Sequence, residues 1–318
     1  MAVREKSLQI CVNTLPNGEV WRRRFDRVAA SGLAIGLAAS YHGSVIPYPK
    51  KRIQLCESTR AVLGLVDDLF DNPDMALRQF FDRDPAEVRG KEIAERVMYI
   101  FENKCFPDPA YQKKIETFLD FMHGDSPLAQ LCYKFFELLS ELSIQDWKFR
   151  VQNRVHEKAA IDNHLDIAGV YAVLFDCIFS DRLIPAGDKL TVEEVRAANP
   201  AAFKIGVLGQ KIDDMWDMVE DVLLDAGRDI LVANSFLVRI SSSDREEILD
   251  KFRGGDQTSR QIRFSDLPAN VRKQAMDFCA EISAEAKELA FIPRSGMNFS
   301  VRATRWRDFG VIQSPQLI

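Results

Sequence analysis

The chain has 318 residues, close to half of them apolar, and a formal net charge of −5. That is enough apolar material for a sizeable core without disulfides or structural metals, and the acidic balance argues against a general nucleic-acid binder. Met1–Leu15 is mixed and polar rather than a signal peptide, and no apolar run reaches the ~18 residues a transmembrane helix needs. The six cysteines, Cys11, Cys56, Cys105, Cys132, Cys177 and Cys279, show neither CxxC nor metal-ligand spacing. They read as thiols of a reduced cytoplasm. His42, His123, His156 and His164 show no ligand spacing either and read as structural or surface residues.

Helical periodicity runs through most of the chain, and strand-like alternation is nearly absent. Trp21–Tyr41 reads as a first helix, broken by Pro47 and Pro49. A second covers about Arg52–Asp71 and stops at Asn72-Pro73. Lys91–Glu102 is amphipathic, and Pro107 and Pro109 open the next element. Pro127 precedes Leu128–Ile144, and Gln145–Phe179 continues with few breakers. Asp181–Pro200 reads as a loop carrying a short helix at Val192–Ala198. Ala201–Asp225 is the next clear helix, ended near Gly227, followed by Asp244–Phe252 and Pro268–Leu289. No repeat, low-complexity tract or linker interrupts the series. The pattern predicts one all-α domain over 1–318, with a helical core over about 20–290 and a basic, aromatic tail over 293–318.

Two acidic clusters stand out. Asp67-Asp68-Leu69-Phe70-Asp71 follows the apolar run Ala61–Val66, and Asp213-Asp214-Met215-Trp216-Asp217 follows Ile205–Leu208, with Asp221 beyond. On a helix Asp67 and Asp71 share a face, as do Asp213, Asp217 and Asp221. Like charges at this spacing repel, and neighbouring apolar residues aggravate the cost unless a cation compensates. Hard oxygen donors with no His or Cys beside them suit Mg²⁺ rather than Zn²⁺. Two such stripes facing each other would clamp a diphosphate through bridging ions.

On these residues the chain resembles the all-trans isoprenyl diphosphate synthases (the polyprenyl synthetase family) and the related class I terpene synthases. Gly206-x-x-Gly209-Gln210-x-x-Asp213-Asp214-x-x-Asp217 is similar to the family's GxxxQxxDDxxD pattern, and Gly227-Arg228-Asp229 follows it. The first cluster, with Arg78 downstream, is similar to the family's DDxxD followed by paired arginines. Arg24, Arg27 and Arg60 stand where the family holds isopentenyl diphosphate, and Lys158-Ala159 where it has a Lys-Thr pair. Four departures accompany the likeness: the arginine pair is reduced to Arg78-Gln79, Ala159 loses a hydroxyl, Asn234-Ser235 replaces an expected lysine, and the stretch Asp181–Pro200 is longer than the family leads one to expect.

The resemblance implies a class I isoprenoid synthase bundle with a central active-site cavity, and a cytoplasmic homodimer. Three Mg²⁺ ions would bridge Asp67, Asp68, Asp71, Asp213, Asp214 and Asp217 to an allylic prenyl diphosphate. Arg78, Lys158 and Gln210 would stabilise the departing diphosphate. The cation left behind has two fates. Isopentenyl diphosphate on Arg24, Arg27 and Arg60 attacks it, making a prenyltransferase, or its own double bonds do, making a terpene cyclase. The basic triad favours elongation, and the eroded pair and lost lysine favour a cyclase. A silent partner subunit is a third reading, opposed by six retained carboxylates. Leu63 and Val62, where early-stopping relatives carry bulky aromatics, leave the pocket floor open and imply C15–C20 or longer prenyl chains. Arg294, Arg302, Arg305 and Arg307 beside Phe299, Trp306 and Phe309 suit either a lid or a solvated end.

Overall fold

The computed structural model describes residues 54–56, 58, 59, 62, 109–216, 218–225, 233–252 and 264–290. The expected helices Trp21–Tyr41 and Lys91–Glu102, most of Arg52–Asp71, and the tail lie outside these residues. All regular structure among the described residues is helical: α1 Pro109–Met122, α2 Pro127–Val151, α3 Lys158–Ser180, α4 Val192–Ala198, α5 Pro200–Trp216, α6 Met218–Asp225, α7 Ser242–Phe252 and α8 Ala269–Ala290. Two 3-10 turns, Leu237–Arg239 and Phe264–Asp266, precede α7 and α8. No helix among the described residues is long and apolar enough to cross a membrane.

Short polar residues set the helix ends. Thr191 and Glu194 exchange side-chain-to-backbone hydrogen bonds as a capping box at the start of α4. Asn199 closes α4 and then accepts from the Ala202 N–H at the start of α5, with Pro200 in the first turn, where its missing N–H costs nothing. The run expected over Gln145–Phe179 is instead two helices joined by a turn at 152–157. Neither Gly nor Pro marks that turn. Asn153 makes it by adopting φ 53°, which lets the Arg154 N–H reach back to the Phe149 carbonyl at 2.8 Å. Asp181 does the same after α3 with φ 55°, and Arg182 N–H bonds the Cys177 carbonyl. Both are Schellman ends built on the polar residues that best tolerate the left-handed region.

The chain divides into two compact units. One takes in the described residues up to Lys148 together with Gly169–Phe203. Its core is aromatic and aliphatic: Phe118 of α1 meets Phe136 of α2 with ring centroids 5.7 Å apart, and Leu174, Phe175 and Ile178 of α3 are buried. Gly169 on α3 makes room for Phe203 of α5, whose ring lies 2.5 Å from where a Cβ at 169 would stand. The Arg196 guanidinium covers that ring, 4.7 Å from its centroid. Buried Asn199 donates to Asp176 at 2.7 Å. Burial raises the Asp176 carboxyl above its usual pKa, opposed in part by that bond and by the Arg182 charge.

The other unit comprises Phe149–Ala168 and the described residues from Lys204 onward. Here α6 packs on α7, and α8 is tied to α5 by the Lys211–Glu285 ion pair at 2.8 Å and the buried Cys279–Met215 sulfur contact at 3.2 Å. Arg239 forks onto Glu281 at 2.8 and 2.6 Å while covering Phe278, which in turn packs on Phe236. Ser241 and Asp244 form a capping box on α7, and Asn270 and Gln274 of α8 bond the same Asp244 carboxylate. Arg245 donates to the Leu237 carbonyl at 2.7 Å and to His156 Nε2 at 2.9 Å. A guanidinium only donates, so Nε2 must be the unprotonated nitrogen.

Two expected outcomes follow from these contacts. Gly169→Ala should lose about 1–3 kcal/mol in urea denaturation, because the new methyl overlaps a ring pinned by Arg196. Adding Phe203→Leu should recover part of the loss, and an unchanged midpoint for the single variant would refute the close approach. His156, lowered from its ordinary 6.5 by lost hydration and then by the Arg245 charge, folds in its neutral form. Its contribution is complete above pH 6.5 and is lost as pH falls toward the lowered folded value. His156→Gln, which keeps an acceptor for Arg245, should flatten the decline in urea midpoint just below pH 6.5. Asp244, held below the usual carboxylate range by its hydrogen bonds with Ser241, acts only at more acidic pH.

Candidate functional site

Of the expected site the structure describes Asp213 and Asp214 of the second acidic cluster, with Gln210 and Lys158, all in the second unit. α5 carries Gln210, Asp213 and Asp214. Residues four apart on a helix stack on one face and adjacent residues point about 100° apart. Gln210 and Asp214 therefore share a stripe next to buried Leu208 and Met215, while Asp213 is turned out and exposed.

Asp214 is 4% exposed, and its carboxylate is met by protein donors on both oxygens. Oδ1 accepts from His164 Nε2 of α3 at 3.0 Å and from Gln210 Nε2 at 2.9 Å. Oδ2 accepts from the Ser235 N–H at 2.8 Å and, by a shorter bond, from its hydroxyl. Asn234 completes the grip. Its amide nitrogen donates to the Asp214 carbonyl and to Asp221 Oδ2, both at 2.7 Å. Its amide oxygen accepts from the N–H groups of Phe236 and Leu237, at 2.8 and 2.9 Å. Asn234 thus uses both donors and both lone pairs of its side chain.

Burial alone pushes the Asp214 carboxyl upward. The charge and hydrogen bond of His164, with Gln210 and Ser235, outweigh it and hold the group below the usual carboxylate range. Asp214 is therefore ionised, and His164 Nε2 carries the proton of their shared bond.

A carboxylate offers about four lone-pair directions, and those of Asp214 are taken. The carboxylate chemistry of the cluster fits Mg²⁺ at the exposed Asp213, whereas Asp214 would have to surrender a protein hydrogen bond for each metal bond. Among the described residues no three His, Cys, Asp or Glu side chains converge as a metal site. Asp67, Asp68, Asp71, Asp217, Arg24, Arg27, Arg60 and Arg78 lie outside the described residues. Lys158 is exposed in the first turn of α3. The structure thus brings Gln210 and Asp214 together and adds three residues that spacing did not single out: His164, Asn234 and Ser235. Asn234-Ser235 does signal itself in the sequence, as the place where the expected lysine is missing.

Replacing adjacent aspartates should have unequal effects. Asp214→Asn turns an amide nitrogen toward existing donors and should cost about 3 kcal/mol, measured by urea denaturation. Asp213→Asn, on the exposed face, should cost less, at most about 1 kcal/mol. Equal losses would contradict the division of roles. Compared with known proteins, the chain matches no family model. No curated protein and no solved structure matches it significantly either.

Proposed function

We propose that the chain is a Mg²⁺-dependent class I isoprenoid synthase that ionises an allylic prenyl diphosphate, and that it condenses the resulting cation with isopentenyl diphosphate to a C15–C20 or longer prenyl diphosphate. The observation that supports this reading is the acidic repeat whose first two aspartates, Asp213 and Asp214, lie on α5. Its pattern, Gly206 through Asp217, resembles the family's second motif. Its exposed member Asp213 sits beside a buried neighbour that protein donors already satisfy. The all-helical regular structure of the described residues is consistent with it.

Under this reading Asp213 and Asp217, four apart in sequence, hold the ion of the second cluster, and Asp67, Asp68 and Asp71 hold the first. Mg²⁺ bound there supplies positive charge that stabilises the diphosphate as it departs. Arg78 and Lys158 orient the same group by charge-assisted hydrogen bonds, and Arg24, Arg27 and Arg60 bind isopentenyl diphosphate. Asp214 keeps its protein partners and stands behind the cluster. Gln210, whose amide nitrogen is committed to Asp214, supports the helix as well as facing the motif.

One observation favours the terpene-cyclase alternative. Where an elongating relative would bring a lysine after the second cluster, Asn234 and Ser235 are spent on Asp214 and Asp221 and bring no positive charge. A cyclase needs no second substrate.

Purified protein incubated with Mg²⁺ and geranyl, farnesyl or geranylgeranyl diphosphate, with and without isopentenyl diphosphate, decides between them. Longer prenyl alcohols after phosphatase treatment, formed only with isopentenyl diphosphate, are the expected result. In that case Arg27→Ala and Arg60→Ala should lose elongation while retaining allylic binding. Hydrocarbons or cyclic alcohols formed without isopentenyl diphosphate would make the chain a cyclase. No Mg²⁺-dependent turnover of any of these substrates would overturn the reading.

A further inference from the structure

We propose that His164 and Ser235 are positioning residues for the second acidic cluster: through Asp214 they fix the rotation of α5 about its axis, and with it the direction in which Asp213 is presented. The proposal rests on the isoprenoid-synthase reading of that cluster.

An apolar stripe does not set such a rotation finely. Leu208, Met215 and the aliphatic groups around them make non-directional contacts that survive small turns of the helix. Hydrogen bonds do not, because they weaken steeply away from linearity. A carboxylate stands roughly 5 Å from the helix axis, so a 20° rotation carries it about 2 Å. Working constellations tolerate about 0.5 Å.

Asp214 supplies the missing precision because it is held from two elements. His164 reaches Oδ1 from α3, and Ser235 reaches Oδ2 twice from the segment before the 3-10 turn. Asn234 fixes the same segment to the Asp214 carbonyl and to Asp221 on α6. Lys211, three residues before Asp214, ties the helix to Glu285 on α8. With Asp214 locked, the Cα–Cβ bond of the adjacent Asp213 leaves the helix in one direction, about 100° around it. Neither His164 nor Ser235 has to touch substrate for this.

Calorimetric titration with inorganic pyrophosphate, with and without Mg²⁺, tests the proposal on full-length wild type, Ser235→Ala, Ser235→Thr and His164→Gln, with melting temperatures recorded in parallel. Ser235→Ala keeps the 235 N–H bond to Asp214 and removes only the hydroxyl, so it reports even if His164→Gln fails to fold. The expected result is Mg²⁺-dependent binding weakened about tenfold or more in Ser235→Ala and His164→Gln, well below their melting temperatures. Ser235→Thr, which restores the hydroxyl, should bind within about twofold of wild type. Lower melting temperatures with unchanged pyrophosphate affinity would make both residues merely structural and overturn the inference alone. Wild type showing no Mg²⁺-dependent pyrophosphate binding would overturn the functional reading, and the inference with it.

Discussion

A buried, ionised carboxylate must be satisfied or it destabilises the fold, and Asp214 imposes that constraint on the second unit. His164 has to come from α3, Gln210 from one turn earlier on α5, and Ser235 from a segment more than twenty positions away in sequence. Once Ser235 is in place, Asn234 falls against the Asp214 carbonyl and accepts the N–H groups that begin the 3-10 turn. That turn sets Phe236 on Phe278 and directs Arg239 to Glu281 on α8. Arg245 of α7 then holds the turn's carbonyl at Leu237. The polar bonds form a chain in which each fixes the geometry of the next.

The arrangement also separates two neighbouring negative charges. Asp213 stays in water, where its charge is well screened, and Asp214 is surrounded by donors that stabilise the anion. A pair of adjacent aspartates on one helix is thereby divided into an exposed group and a buried group that holds structure. Asp221 shares the second role through Asn234. The stripe of Asp213, Asp217 and Asp221 that helical spacing draws is therefore not chemically uniform along its length.

Local signals carry well from sequence to structure here. The bounds of α4 are written in Thr191, Glu194 and Asn199-Pro200, so the short helix appears where the pattern places it. α7 and α8 begin within two residues of where periodicity puts them. The turn between α2 and α3 is not legible in this way, since Asn153 does by conformation what Gly or Pro would announce by identity. The site divides along the same line. Gln210, Asp213 and Asp214 are visible because they lie within one helix. His164 lies fifty positions from Asp214, and no local spacing connects them. Asn234-Ser235 reads in the sequence as a loss of charge, and only the fold reveals the pair as the donors that Asp214 requires.

The clasp at Asn234-Ser235 has a bearing on chemical ageing. An asparagine followed by serine deamidates when the next backbone nitrogen attacks the side-chain carbonyl, releasing ammonia through a cyclic imide that water reopens to aspartate or isoaspartate. In the folded chain the Ser235 nitrogen is engaged with Asp214, and the Asn234 amide is held at both ends. The attacking and attacked groups cannot swing into line without opening the clasp. Once converted, the new carboxylate would face Asp221 and the Asp214 carbonyl with no proton to offer either, and the segment could not close again. The same bonds that orient α5 thus protect the molecule from a one-way covalent change, and only for as long as it remains folded.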